Sequence, residues 1–105
     1  MEDAIPIARV TDIPPGEGRA FRVRGLDIAV FRLRGGAVYA TQAACPHQGG
    51  PLADGLTGSG SVICPLHERV FDLESGVEVG RDCKLETFPV RVSGDGTIEL
   101  LLPAR

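Results

Sequence analysis

The sequence predicts an all-β fold, a sandwich or barrel built from short antiparallel strands. Fourteen glycines and eight prolines interrupt the 105 residues, and no stretch free of both is longer than the ten residues from 66 to 75. That spacing leaves little room for a helix of average length. Apolar side chains mostly recur at every second position, which is the period of a half-buried strand and not of a helix.

Alternating segments and glycine turns define the strands in chain order. Ala29, Phe31 and Leu33 share one face of a strand, with arginines pointing the other way. Gly-Gly at 35–36 and Gly-Asp-Gly at 94–96 are predicted hairpin turns. Because the chain is too short for two domains and contains no linker, we expect one domain over residues 1–105. The predicted strands cover residues 5–10, 19–23, 26–34, 37–42, 61–64, 70–73, 86–93 and 97–102.

Charge and hydropathy exclude several classes of partner. The net charge of −3 and the pI of about 5.3 argue against nucleic acid, whose phosphates require a basic face. The first six residues lack the pattern of a signal peptide, and no apolar run approaches the roughly 20 residues of a membrane span. We therefore expect a cytoplasmic protein with no membrane segment. Four arginines alternate along two strands, either as the solvated outer face of a hairpin or as a basic docking patch: Arg22, Arg24, Arg32 and Arg34.

Two short clusters carry most of the chemical information. One reads Cys-Pro-His at 45–47 and the other Cys-Pro-Leu-His at 64–67, with sixteen residues between them. The clusters contain both histidines of the chain. Four thiolate and imidazole ligands from two loops can hold a metal centre. The candidate ligands are Cys45, His47, Cys64 and His67.

The way in which these ligands are paired favours iron over zinc. Zinc modules usually pair like ligands, with two cysteines close together and then two histidines. Here each cluster pairs one cysteine with one histidine. That arrangement suits a [2Fe–2S] centre in which both thiolates bind one iron and both imidazoles bind the other. The alternative is a tetrahedral zinc site that stabilises an interaction module.

The motif Cys-x-His, sixteen residues, Cys-x-x-His resembles that of the Rieske family. The flanking residues, 49–52 and 70–76, are similar to those of single-domain Rieske ferredoxins, and the resemblance extends over roughly residues 5–102. It implies a Rieske-type β-sandwich or barrel with a cluster-binding subdomain inserted at about 45–76. It also implies one Rieske [2Fe–2S] cluster and a soluble one-electron transfer protein. No catalytic residue is predicted, so any catalysis takes place on a partner.

Two systems remain open for such a protein. Residues 70–76 and 86–92 are similar to the small subunit of NAD(P)H-dependent nitrite reductase. The other system is the ferredoxin component of a bacterial ring-hydroxylating dioxygenase. Those ferredoxins often carry Trp and Gly around the last histidine, where this chain has Leu66 and Glu68, and this difference favours nitrite reductase. The partners implied are redox proteins: a flavoprotein reductase, the large subunit of nitrite reductase, or a terminal oxygenase.

The surroundings of the predicted ligands differ from those in another Rieske branch. Cytochrome bc1-type proteins carry an extra cysteine in each loop, and the two form a disulfide; Gly50 and Leu66 stand at those positions here. The bc1-type proteins also carry a serine and a tyrosine that donate hydrogen bonds to the cluster sulfurs and a cysteine ligand. In this chain Arg69 and Phe71 stand at the matching positions. The resemblance therefore implies no disulfide and a potential toward the low end of the Rieske range. Cys83 remains, and we expect it to be a free thiol.

Overall fold

The structure is a computed structural model, and it describes residues 2–46, 49–66, 69–81 and 83–104. The described residues form ten strands and two short 3-10 turns, at Val10–Asp12 and Leu52–Asp54. Within these residues no helix is long and apolar enough to cross a membrane. The strands are β1 (Glu2–Arg9), β2 (Glu17–Val23), β3 (Leu26–Arg32), β4 (Val38–Gln42), β5 (Leu56–Gly58), β6 (Ser61–Ile63), β7 (Val70–Asp72), β8 (Thr87–Phe88), β9 (Val90–Val92) and β10 (Thr97–Pro103).

The strands form three antiparallel sheets, which confirms the all-β prediction. The first sheet has the order β1-β10-β9, the second β2-β3-β4-β8, and the third β5-β6-β7. The first two sheets bring together distant parts of the chain. The third is built from consecutive short strands between residues 56 and 72. It therefore lies within the segment for which the sequence predicts a separate subdomain.

Strand β3 is buried on both faces, because the second sheet lies between two hydrophobic cores. Ile28 and Val30 point into the first core, whereas Ala29 and Phe31 point into the second. All four are 0% exposed, so the prediction of a half-buried strand was wrong for this segment. The first core comprises Ile13, Val23, Ile28, Val30, Ala40, Ile98, Leu100 and Leu102. The second comprises Ala29, Phe31, Cys45, Leu52, Val62, Cys64, Phe71, Leu73 and Leu85.

The strand predicted over residues 86–93 is divided at Pro89. The part before it, β8, pairs with β4 in the second sheet, and the part after it, β9, pairs with β10 in the first. Proline has no backbone N–H to donate to a ladder, so a continuous paired strand is interrupted there. The Pro89 carbonyl still accepts a hydrogen bond from Leu101 N at 2.9 Å. Strand β5 was not predicted; it is only three residues long.

The four arginines that were predicted to alternate along two strands do not share a common partner among the described residues. Arg22 pairs with Asp27 at 3.3 Å, directly across the β2–β3 ladder, and Arg24 pairs with Asp3 at 2.6 Å. The Arg32 guanidinium donates hydrogen bonds to the carbonyls of residues 10 and 13, and so ties β3 to the turn that covers the first core. Three of the four arginines therefore have structural partners, which favours the hairpin interpretation over a docking patch.

Candidate metal centre

The first predicted ligand loop leaves the end of β4 and is closed by hydrogen bonds at its base. Cys45 N donates to the carbonyl of Gly50 at 2.8 Å, and Gly49 N donates to the carbonyl of Cys45 at 2.9 Å. Gly49 has a φ of +71°, a left-handed conformation that glycine adopts at little cost. Leu52 N donates to the Ala43 carbonyl at 2.9 Å, just outside these bonds. The loop therefore returns beside its own starting point, and Cys45 is only 2% exposed.

The second predicted ligand loop joins β6 to β7 in the third sheet. Cys64 follows β6, and its N–H donates to the carbonyl of Arg69 at 2.8 Å. Beyond that bond the ladder continues with Ile63 opposite Val70. The bond between Cys64 and Arg69 thus closes the base of the loop above the β6–β7 hairpin, and the Cys64 side chain is fully buried.

The two loops meet at Gly50. A Cβ atom built on Gly50 would lie 3.0 Å from the Cys64 Sγ and 3.1 Å from both Cγ and Cδ1 of Leu66. Cys45 and Cys64 also belong to the same hydrophobic core. The structure therefore brings the predicted thiolate ligands of both loops to one region, at the junction of the second and third sheets. It also places Gly50 beside Leu66, the two positions that match the disulfide of the bc1-type branch.

His47 and His67, the predicted imidazole ligands, lie outside the described residues, as do Gln48 and Glu68. Within the described residues no group of three metal-ligating side chains occurs. The residues next to the histidines, Pro46 and Leu66, are exposed, in contrast to the buried cysteines. Two buried cysteines from touching loops, with a side-chain-free residue between the loops, fit a thiolate-bound iron–sulfur centre.

Asp72 builds the turn that follows the second ligand loop. Its Oδ2 accepts hydrogen bonds from Ser75 N and Ser75 Oγ, both at 2.8 Å. These bonds, the backbone N–H first, favour the carboxylate and hold the pKa of Asp72 below its usual value. Gly76 N closes the same turn onto the Asp72 carbonyl at 2.7 Å. The chemistry of Asp72 is therefore that of a turn residue.

A buried carboxylate near the second ligand loop was missed by sequence reasoning. Glu78 is 2% exposed and lies 3.3 Å from Arg69, while its neighbours Val77 and Val79 are exposed. In an alternating Val-Glu-Val segment the charged residue is ordinarily assigned to the solvent side, so the pattern predicted the wrong side for Glu78.

Phe71, at the position of the tyrosine donor, is fully buried in the second core, and its ring offers no hydroxyl. Cys83 is a free, partly exposed cysteine, as predicted.

Residues 3–89 match the family model described as the Rieske [2Fe-2S] domain. The chain belongs to the Rieske family. A Rieske domain holds one [2Fe–2S] cluster and transfers single electrons, so this chain is a Rieske electron-transfer protein. The buried cysteines of the two loops agree with that assignment.

Rieske relatives of two kinds are similar to this chain. It is 33% identical over 92 residues to the ferredoxin component of naphthalene 1,2-dioxygenase/salicylate 5-hydroxylase systems from Ralstonia sp, covering 84% of this chain and 86% of the relative. It is 39% identical over 106 residues to nitrite reductase [NAD(P)H] from Emericella nidulans, covering 89% of this chain but 9% of that protein. Its fold matches a protein from Mycobacterium tuberculosis assigned as an NADH-dependent nitrite reductase small subunit, with a TM-score of 0.92, 23% identity, and 100% and 99% of the two chains covered.

Proposed function

We propose that this Rieske protein is the small, electron-transferring subunit of an NAD(P)H-dependent nitrite reductase, acting in the cytoplasm. The chain forms one Rieske domain, with the cluster held by residues of the segment at about 45–76. Cys45 and Cys64 bind one iron as thiolates, and His47 and His67 bind the other as neutral imidazoles. The observation that carries the ligand assignment is the contact of both loops at Gly50, with Cys64 Sγ 3.0 Å from the position of an added Cβ.

The ligand set suits an electron carrier. When bound, the cluster accepts and returns one electron. Imidazoles at His47 and His67 in place of two further thiolates leave the centre less negative, which raises its potential above that of an all-cysteine cluster. The buried positions of Cys45 and Cys64 exclude water from the thiolate side of the site. In this proposal the protein delivers electrons, and reduction of nitrite takes place on the large subunit.

The side of the molecule around the second ligand loop suits a protein partner. Five of the seven large apolar side chains that are exposed among the described residues lie between positions 56 and 79. Leu56 and Ile63 are cross-strand neighbours, and together with Cys64 and Pro65 they line a shallow groove. Exposed apolar groups gathered in one region are typical of protein–protein contacts. A partner that covers this region approaches the site closely enough to exchange electrons.

The chain contains a matched control for the ligand assignment. We expect Cys45→Ser and Cys64→Ser each to abolish binding of two irons and two acid-labile sulfides per chain, because a neutral hydroxyl replaces a thiolate. Cys83→Ser should retain the full complement and the reduced-state EPR signal. Anaerobically purified protein would be assayed for iron, sulfide and EPR. A wild-type chain that carries zinc and no iron would overturn the assignment in favour of the zinc-stabilised module.

One specific observation supports an alternative redox system. The Ralstonia relative is a dioxygenase ferredoxin and is matched over 86% of its own length, whereas the fungal nitrite reductase is matched over only 9%. The alternative is therefore the ferredoxin of a ring-hydroxylating dioxygenase. Stopped-flow mixing of the oxidised protein with a reduced nitrite reductase large subunit, or with a dioxygenase flavoprotein reductase, separates the two. Fast reduction by the flavoprotein reductase alone would overturn the nitrite reductase proposal and support the alternative.

A further inference from the structure

The charged side chain of Glu78 is buried, whereas the apolar side chains on either side of it are exposed. It is 2% exposed, opposite Phe71 in a β-bridge, while Val77 and Val79 are 41% and 63% exposed. An ionised carboxylate in a protein interior is costly unless charged partners and hydrogen bonds compensate it. A chain that buries the carboxylate and exposes the flanking valines has therefore placed a negative charge at a defined interior position.

Among the residues that the structure describes, two arginines lie against the buried carboxylate. Arg69 Nη1 lies 3.3 Å from both carboxylate oxygens of Glu78, and Arg81 Nε lies 3.5 Å from Oε2. The Arg69 side chain is 23% exposed, whereas that of Arg81 is 63% exposed. Guanidinium groups remain protonated at all ordinary pH values. The shielded interaction is therefore the one between Arg69 and Glu78, and solvent screens Arg81 more strongly.

Arg69 also closes the second ligand loop. Its carbonyl accepts the Cys64 N–H at 2.8 Å, so its backbone fixes one end of the loop while its side chain binds Glu78. Glu78 is held in turn by its own backbone, which donates to the Cys83 carbonyl at 2.8 Å. Val79 N, the next residue, donates to the Val70 carbonyl at 2.8 Å. The ion pair thus joins the base of the loop to the segment that follows the third sheet.

We propose that Arg69 and Glu78 form a positioning pair that holds the second ligand loop and tunes the reduction potential of the cluster with two opposite charges. The inference rests on the proposed ligation by Cys64 and His67. A fixed positive charge near a redox centre stabilises the added electron, and a fixed negative charge destabilises it. Removal of Glu78 should therefore raise the potential, and removal of Arg69 should lower it. A pair that acted only by packing would not give opposite signs.

The test is voltammetry of cluster-loaded protein at fixed pH and low salt. We expect E78Q to shift the equilibrium constant for reduction upward by roughly threefold or more, and R69Q to shift it downward by a similar factor. The double variant R69Q/E78Q should lie between the two. The matched control is the ion pair in the first sheet, on β9 and β10, between Arg91 and Glu99, whose atoms are 2.6 Å apart; R91Q and E99Q should leave the potential unchanged. Shifts of the same sign in E78Q and R69Q, or no shift in either, would overturn the proposal.

Retention of iron against a chelator provides a second measurement that does not depend on the potential. Each single substitution removes one member of the ion pair and leaves the other charge in place, whereas the double substitution removes both charges together. The double variant should therefore keep its iron longer than the faster-losing single variant. If it loses iron faster than both single variants, the two side chains do not act as a pair. A wild-type chain without iron and sulfide refutes the proposed function itself, while loaded variants without opposite shifts refute only this inference.

Discussion

Gly50 shows at the scale of one residue why the ligand loops require a glycine. An added Cβ atom would lie 3.0 Å from the Cys64 Sγ and 3.1 Å from the Leu66 side chain, which is closer than ordinary contact distances. Leu66 is 54% exposed and can turn away. A cysteine sulfur that is bound to iron cannot, because its position is fixed by the metal. Under the proposed ligation, the requirement at Gly50 is therefore set by the Cys64 sulfur and not by the backbone conformation.

We expect Gly50→Ala to lower the free energy of unfolding of the loaded protein by about 1–3 kcal/mol, the usual cost of inserting a methyl group into a packed site. It should also accelerate loss of iron to a chelator, because the Cys64 sulfur is displaced. Gly58, with nothing within 4 Å of an added Cβ, is the matched control, and Gly58→Ala should change stability by about 0.5 kcal/mol or less. Equal iron loss from the two variants would contradict the contact at Gly50.

At the scale of elements, the turn after β7 joins the third sheet to the segment before β8. Gly76 has a φ of +80°, and a Cβ atom there would lie 2.4 Å from the Leu85 carbonyl oxygen. Leu85 N donates to the Gly76 carbonyl at 2.7 Å, so the two backbones are in direct contact. Leu73 and Leu85 on either side belong to the second core. The turn thus holds that core together through backbone hydrogen bonds that no side chain can replace.

Gly76→Ala should destabilise the protein by about 2–5 kcal/mol, because a left-handed conformation and a backbone clash add up. Gly25 separates the two effects, since its φ is +78° but an added Cβ would meet nothing within 4 Å. Gly25→Ala should therefore cost only about 1–2 kcal/mol, the conformational part alone. Denaturant unfolding of both variants measures the difference. If the two cost the same, the contact with Leu85 is not a constraint on the turn.

Most elements could be predicted from the sequence, and the exceptions have physical reasons. Period-two alternation and glycine turns identified the hairpin from β3 to β4 and the one from β9 to β10 because those signals are local. The burial of β3 on both faces, in contrast, depends on the third sheet covering its second face, and no local pattern reports that. The division at Pro89 follows from a missing donor, but which sheet each half joins is decided by distant strands.

The candidate site, like the fold, could be predicted only in part from the sequence. The spacing of Cys45 and Cys64 predicted two loops that meet, and both cysteines lie in one core. The roles of His47 and His67 remain predictions, since they lie outside the described residues. Glu78 could not be found, because a glutamate between two valines gives no sign that its side chain is buried against Arg69. Pairing of that kind is visible only in three dimensions.

On the scale of the whole molecule, the cluster site and the stability of the fold are linked through the second core. Cys45 and Cys64 are members of that core, whereas the first core contains neither. The two cores share β3, whose alternate side chains enter one or the other. A centre that bridges both cysteines therefore cross-links the third sheet to the second. A chain of 105 residues has a modest core, so under the proposed ligation such a link supplies a large part of its stability.

We expect the apoprotein, prepared with a chelator under reducing conditions, to melt at least about 10 °C below the loaded protein, since each kcal/mol lost lowers the Tm of a domain of this size by about 4–8 °C. The loss of hydrogen-exchange protection in the apoprotein should differ between the sheets. Amides of β5, β6 and β7 should lose most of their hydrogen-exchange protection, because the third sheet is tied to the rest through the second core, while amides of β1 and β10 keep theirs better. Calorimetry and exchange on both forms measure this, with Cys83→Ser as a control that behaves like wild type. Equal melting temperatures, or uniform loss of protection across all three sheets, would contradict the link between the cluster and the second core.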